Sequence, residues 1–241
     1  DNIMQTQTVL ETLFPNNLDY QINDSMIRGS AETKLGKVEI IGTVDSAAMN
    51  QYIAMTLAGE ILDVIAQNQQ TPVIFIVDTL GQDSSRADEL LCLNRTFAHL
   101  ASCVDLLRRR GHPNLAIVLG EAVSGGFLSY GLMANQAFAL ESSQVKVMDL
   151  QAMSRVTKIP LDKLKSLSQT SAIFAPGVEN YHAMGAVNDI WTTLDAHLVE
   201  NALESQLGRT DDFLTDARRQ VAKDREGRIL CNDIVESVLT A

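Results

Sequence analysis

Ala116-Ile117-Val118-Leu119-Gly120-Glu121-Ala122-Val123-Ser124-Gly125-Gly126-Phe127-Leu128-Ser129-Tyr130-Gly131 begins as an apolar run, passes a glycine and ends in small residues that open a helical pattern. That order predicts a buried strand, a tight turn and a helix over 124–134. The first N–H groups of a helix have no intrahelical acceptor and carry its positive end, so they attract negative charge. Gly125 and Gly126 lack a Cβ, which lets a ligand come close to those N–H groups. The arrangement suits an oxyanion hole. It suits a helix packed tightly on a neighbour equally well, and the residues alone leave both readings open.

Upstream, Val38–Val44 reads as a strand, and Asp45 or Ser46 is positioned to cap the helix that follows. Ile53, Leu57, Ile61 and Ile65 recur every four residues along it. Pro72 marks its exit, and Val73–Val77 is an unbroken apolar run of the kind covered on both faces. Strand, helix, strand makes a βαβ unit. Asp78-Thr79-Leu80-Gly81-Gln82-Asp83-Ser84-Ser85 should then form the loop at that strand's carboxyl end, where open α/β sheets bind ligands. Gly81 has a backbone N–H to present there, and Asp83 or Ser84 is a candidate cap. Leu90, Leu93, Phe97, Leu100, Val104 and Leu107 predict one continuous helix, ending in Arg108-Arg109-Arg110 before Gly111. Cations complement the negative end of a helix dipole, and that explains the arginines better than a phosphate grip.

Downstream, 137–140 and 145–148 read as short strands, Asp149 as a helix cap and Pro160 as the start of another helix. Phe174-Ala175-Pro176-Gly177 reads as a turn, and Met184–Trp191 as a helix end, a glycine stop and a short strand. Helices are expected over 193–223, broken near Gly208, and over about 230–240. Residues 1–36 read as an N-terminal arm: a short helix stopped at Pro15, then a polar stretch expected to be mobile. Residues 37–241 read as a single domain, because neither a linker nor a 20–50-residue repeat divides them.

With 30 acidic and 19 basic residues the formal charge is -11, against a general binder of nucleic-acid phosphates. No apolar run approaches the ~20 residues of a membrane span, no signal peptide is evident, and a cytoplasmic protein is expected. Cys92, Cys103 and Cys231 form no CxxC pair, and the four histidines are scattered, so no metal is expected. Gly120 to Gly126 lacks dinucleotide-binding spacing. Ala122-Val123-Ser124-Gly125-Gly126 has the outline of a nucleophile elbow with Ala for the leading Gly. A serine hydrolase would then draw on His182 or His197 with Asp149 or Asp189. A serine ahead of two glycines is more simply a helix cap.

Val77-Asp78-Thr79-Leu80-Gly81, followed some forty residues later by Gly120-Glu121-Ala122-Val123-Ser124-Gly125-Gly126, resembles the carboxyltransferase branch of the crotonase-like superfamily. Met184-Gly185-Ala186-Val187-Asn188-Asp189-Ile190 resembles a later segment of that branch. Within it the chain is most similar to the gamma subunits of biotin-independent malonate decarboxylase. The resemblance implies an α/β, ββα-spiral fold. It implies a subunit that, with a homologous beta subunit, decarboxylates a malonyl thioester on an acyl-carrier protein to an acetyl thioester and CO2. The CoA-derived prosthetic arm would come with the carrier, and no cofactor would be bound covalently to this chain. The backbone N–H groups of Gly125, Gly126 and Gly81 would stabilise the enolate, with Thr79, Gln82 and Ser124 contacting substrate. Leu80 stands where those enzymes have Pro, Ala122-Val123 replace Gly-Gly, and the loop after Gly81 lacks their Tyr-Pro-Gly. Three alternatives remain: a biotin-dependent acyl-CoA carboxyltransferase subunit, a serine hydrolase with Ser124 as nucleophile, and a subunit that only scaffolds its partner.

Overall fold

The structure, a computed structural model, describes residues 2–83, 85–171, 176–227 and 229–241. The chain opens with α1 (Asn2–Leu13), β1 (Asn16–Asn23), β2 (Met26–Thr33), β3 (Gly36–Thr43), β4 (Ala47–Met49) and α2 (Gln51–Ala66). It continues through β5 (Val73–Gln82), α3 (Arg86–Leu90), α4 (Leu93–Arg109), β6 (Asn114–Val123) and one turn, α5 (Ser124–Gly126), which runs into a π-helix, Phe127–Gly131. Then come β7 (Gln136–Leu140), β8 (Gln144–Lys146), α6 (Leu150–Thr157), α7 (Leu161–Ser168), α8 (Val178–Ala183), β9 (Asp189–Trp191), α9 (Ala196–Glu204), α10 (Arg218–Asp224) and α11 (Ile229–Leu239).

Successive residues of a strand point to opposite faces, and here both faces are apolar. Along β5, Val73, Phe75 and Val77 enter one core while Ile74 and Ile76 enter the other. Along β6, Ala116, Val118 and Ala122 divide in the same way from Leu115, Ile117 and Leu119. The first core is closed by α2 and α4, with Phe127 and Tyr130; the second is closed by α1 and α9. The sheet runs β1-β2-β3-β5-β6-β7-β9, with β4 paired to β5 and β8 to β6. β1, β2 and β3 are antiparallel to one another, and the other pairings are parallel. A closed set of buried amides fastens α9 to the start of β6. Gln206 Oε1 accepts from the Asn114 N–H, Gln206 Nε2 donates to the Asn114 carbonyl, and Asn114 Oδ1 accepts from the Asn135 N–H.

Several expectations give way to tertiary contacts. The expected arm is part of the sheet: β2 pairs with β3 along its whole length, and Val9, Leu10, Leu13 and Phe14 are buried. The cap of α2 is Asn50, whose side chain accepts from the Ile53 N–H, not Asp45 or Ser46. The helix expected through Leu90 breaks at Cys92, which is left-handed (φ +61°), and Leu90 is 73% exposed. α3 is capped by Ser85, not Asp83; Ser84 lies outside the described residues, as do Phe174 and Ala175. Asp149 caps α6 as expected.

Leu10 is fully buried. Leu10→Ala should therefore cost about 2–5 kcal/mol, the usual range for truncating a buried leucine. A denaturation midpoint equal to that of the unaltered chain would show that α1 does not contribute to the fold.

Candidate functional site

The strand expected to stop at Val77 continues to Gln82, because β4 pairs with its far end. β6 likewise runs through Gly120 and Glu121 to Val123, so the tight turn falls at Ser124. The two motifs thus lie side by side at the carboxyl ends of neighbouring parallel strands, with Thr79 opposite Ala122.

Asp78 joins them. It is 5% exposed, and its Oδ1 accepts from the Glu121 N–H at 2.8 Å. Its Oδ2 accepts from the Ser46 N–H at 3.0 Å, and the Ser46 hydroxyl lies 3.3 Å from Oδ1. Asp45 and Ser46 are both left-handed, at φ +56° and +50°, a conformation that non-glycine residues adopt only when something holds them there. Gly120 is glycine because a Cβ would sit 2.6 Å from Asp78 Oδ1. Asp78 and Glu121 also line a cavity of about 180 Å³ beneath Thr6 and Val9 of α1. Lys146 Nζ lies 3.0 Å from Glu121 Oε2, an ion pair out of line for a hydrogen bond.

Thr79 is fully buried; its hydroxyl donates to the Ala47 carbonyl at 2.7 Å and accepts from the Gly81 N–H at 3.0 Å. Gly81 is at φ +93°, which suits glycine. A Cβ on Gly126 would lie 2.7 Å from Thr79 Oγ1 and 3.0 Å from the Gly81 Cα, so this glycine permits close packing whatever else it does. Gly125 differs. Its N–H donates to Gln82 Oε1 at 3.3 Å in an exposed position, and Phe97 and Gln82 flank the place its Cβ would occupy. Gly131 is also packed, with a Cβ meeting Phe127 at 2.7 Å.

Below the turn, the Tyr130 hydroxyl sits 2.8 Å from Thr43 Oγ1 and 3.0 Å from the Ile76 carbonyl. Thr43 Oγ1 is in turn 3.0 Å from the Asp78 carbonyl. Burial pushes the Tyr130 phenol well above its ordinary pKa, so it stays protonated and ties the π-helix to β5.

Ser124 is at φ +50° and makes no side-chain cap bond, contrary to the expected cap. No histidine hydrogen-bonds to it among the described residues. His112 Nδ1 faces the Thr71 carbonyl, His99 Nε2 lies 3.7 Å from Cys103 Sγ, and His197 Nδ1 is 3.3 Å from Glu200. Desolvation lowers the pKa of His182, whose carbonyl accepts from Arg225. The hydrolase triad is therefore not assembled. Among the described residues no group of three or more His, Cys, Asp or Glu side chains is placed to hold a metal ion. No helix among the described residues is long and apolar enough to cross a membrane. The arginines at the end of α4 serve the fold: Arg108 bonds Asn135 and the Met133 carbonyl, and Arg109 bonds Asp105.

The sequence reading brought together Thr79, Gly81, Gln82, Ser124, Gly125 and Gly126, and the structure places all six at one strand-end cluster. It missed Asp78 as the residue that joins the two strands, and Phe97 as a wall beside Gly125. An acid inside an otherwise apolar strand was the available signal for the first; nothing local marks the second.

A family model for the malonate decarboxylase gamma subunit matches residues 47–241. A malonyl-S-ACP:biotin-protein carboxyltransferase, MADD of Malonomonas rubra, is 27% identical over 78% of this chain and 70% of its own length. A crystal structure of a Pseudomonas malonate decarboxylase hetero-tetramer in complex with coenzyme A superimposes with a TM-score of 0.77 at 20% identity, covering 95% of this chain and 99% of that one. The MdcD-MdcE hetero-dimer of the Pseudomonas enzyme gives 0.71 at 22% identity, over 94% and 96% of the two chains. Transcarboxylase 12S gives 0.63 at 17%, over 78% of this chain and 38% of its own. The mixed α/β sheet is that of the crotonase-like carboxyltransferases.

With no cap bond and no adjacent base, Ser124→Ala should shift stability by less than about 0.5 kcal/mol. Intact-mass measurement after treatment with a fluorophosphonate should find Ser124 unlabelled; a stoichiometric adduct there would restore the hydrolase.

Proposed function

Because this chain belongs to the malonate decarboxylase gamma subunit family, we propose that it works with a homologous beta subunit to decarboxylate a malonyl thioester carried on an acyl-carrier protein. The observation that carries the reading is the Gly125 N–H. It is a backbone donor at a strand-to-helix junction, engaged only by an exposed carboxamide at 3.3 Å. Breaking the bond to the β-carboxylate releases CO2 and leaves the electron pair as an enolate on the thioester oxygen. Preorganised N–H groups stabilise that charge without having to reorient. A proton then adds to the carbon to give the acetyl thioester. Gly125 is the first donor, and Gly126 follows it in the same turn. Gly81 closes the opposite wall and shares its N–H with Thr79 Oγ1. Gln82 and Ser124 border the thioester's approach. The catalytic unit is residues 37–241, with α1, β1 and β2 as its N-terminal addition, and the whole works in the cytoplasm. The prosthetic arm arrives with the carrier protein, and no cofactor is attached to this chain.

Exposed apolar side chains on the elements around the site support a partner subunit: Leu80 beside Gly81, Leu90 and Leu91 at the end of α3, and Leu128 after α5. A second reading has one specific support, the Malonomonas rubra relative, described as transferring carboxyl to a biotin protein. Carboxyl transfer would pass through the same enolate. Assaying the purified complex for acetyl-thioester formation with and without a biotinylated protein separates the two: turnover without biotin is the expected result.

Two measurements test the site and the partner. Gly125→Val places its Cβ 3.0 Å from the Phe97 ring and 3.2 Å from Gln82 Oε1, so both side chains must give by a few tenths of an ångström and the melting temperature of the variant is measured beside its rate. Loss of one oxyanion donor typically costs about 100- to 1,000-fold in rate, and that fall is expected in a complex of unchanged stability. Gly59→Ala is the control, since nothing lies within 4 Å of its Cβ. Near-normal turnover by a stable Gly125→Val complex would take Gly125 out of the chemistry. Sedimentation should find the chain bound to its partner through an interface of the obligate kind, upwards of about 2,000 Å². Full decarboxylation by the monomer would end the shared-site reading.

A further inference from the structure

The donor that the reaction needs is already occupied, and by a side chain able to leave. Gln82 Oε1 accepts from the Gly125 N–H at 3.3 Å. The Gln82 backbone is fixed at the end of β5, paired with Met49, and the next residue, Asp83, donates its N–H to the Met49 carbonyl at 2.8 Å. The side chain itself is exposed. Vacating the N–H therefore requires only side-chain torsions, which relax on the ps–ns scale, and no movement of the strand. Gly81 contrasts with it: its N–H is held by Thr79 Oγ1, which is fully buried and pinned by the Ala47 carbonyl.

We propose that the Gln82 carboxamide oxygen is an internal stand-in for the thioester oxygen, capping the Gly125 N–H until substrate displaces it. The inference rests on the decarboxylase reading for its kinetic consequence, but the cap itself is a property of this chain alone. A neutral amide oxygen is a suitable occupant. It matches a thioester oxygen in kind, so it satisfies the N–H in the idle enzyme and gives way when binding delivers the substrate's own oxygen, before any charge develops. A carboxylate at the same place would bind the N–H more strongly, as a charged acceptor does, and would repel the malonyl carboxylate. The cap raises the apparent KM by the fraction of time the N–H is occupied and leaves the chemical step untouched.

The test uses Gln82→Ala, Gln82→Met and Gln82→Glu in the assembled complex, with KM and kcat measured separately. The alanine and methionine variants should lower KM about two- to tenfold, the range for one modest hydrogen bond, at unchanged kcat. Methionine keeps the bulk and lacks the oxygen, so a methionine variant that behaves like the unaltered enzyme overturns the proposal. Gln82→Glu should raise KM. A fall in kcat with alanine would instead make Gln82 a substrate contact and also overturn it. A second readout needs no substrate: in the isolated chain labelled with 15N-glycine, the Gly125 amide should shift and exchange faster in Gln82→Ala. An unmoved Gly125 amide shows that the cap is not populated. If that amide moves while Gly125→Val leaves turnover intact, the cap stands and the decarboxylase assignment of the site fails.

Discussion

One buried carboxylate holds the strand ends together. Asp78 follows five buried apolar residues of β5, Val73 to Val77, and it accepts main-chain N–H bonds from Ser46 and Glu121, on two different segments. Ionised carboxylates are expensive to bury unless donors surround them, and here two of the donors are backbone groups that would otherwise be orphaned. The bonds offset the left-handed backbone of Asp45 and Ser46 and bring the start of β4 onto the end of β5. They also set the distance from β5 to β6, which only a glycine at 120 allows.

The chemistry of the site follows from that spacing. With β5 and β6 locked side by side beyond Val77, the Ser124 turn falls directly against Thr79 and Gly81. Gly126 meets Thr79 so closely that its lack of a Cβ is accounted for by packing alone. Packing bears on both glycines, since a Cβ on Gly125 would meet Phe97 at 3.0 Å, but the Gly125 N–H also meets an exposed polar side chain, that of Gln82. The buried Tyr130 and Thr43 hydroxyls brace the turn from beneath, sharing two protons among three contacts.

Two of the departures from the carboxyltransferase pattern fall on the outer surface of this arrangement, while a third, Ala122, is buried in the core beneath it. Leu80 replaces Pro and is 54% exposed, and Gln82 follows Gly81 where the branch has a bulkier loop. The inner members of the motif, Asp78, Thr79, Gly81 and Gly120, are the ones that packing and buried hydrogen bonds constrain.

The sequence by itself determined the layers and the place of the site. The apolar run at 73–77 read as a strand covered on both faces, the run from Ala116 to Leu119 as a buried strand, the four-residue stripe of α2 as a helix and Asp149 as a cap, because each depends on contacts within a few residues. The glycine-rich turn and the Asp-Thr-Leu-Gly stretch were legible as partners through their family pattern. Tertiary structure alone decided the rest. β1 alternates Leu18, Tyr20 and Ile22 with polar residues, but it and β2 find their place only because β2 pairs along the antiparallel edge of β3. β5 runs on to Gln82 because β4 supplies hydrogen bonds from 30 or so residues away, and the helical stripe from Leu90 to Leu107 breaks at Cys92, where Gln51 bonds both the Leu91 carbonyl and Thr96. Which glycine lies against Thr79 and which against Phe97 and Gln82 was likewise invisible in the chain, since both lack a Cβ and only their neighbours across the fold tell them apart.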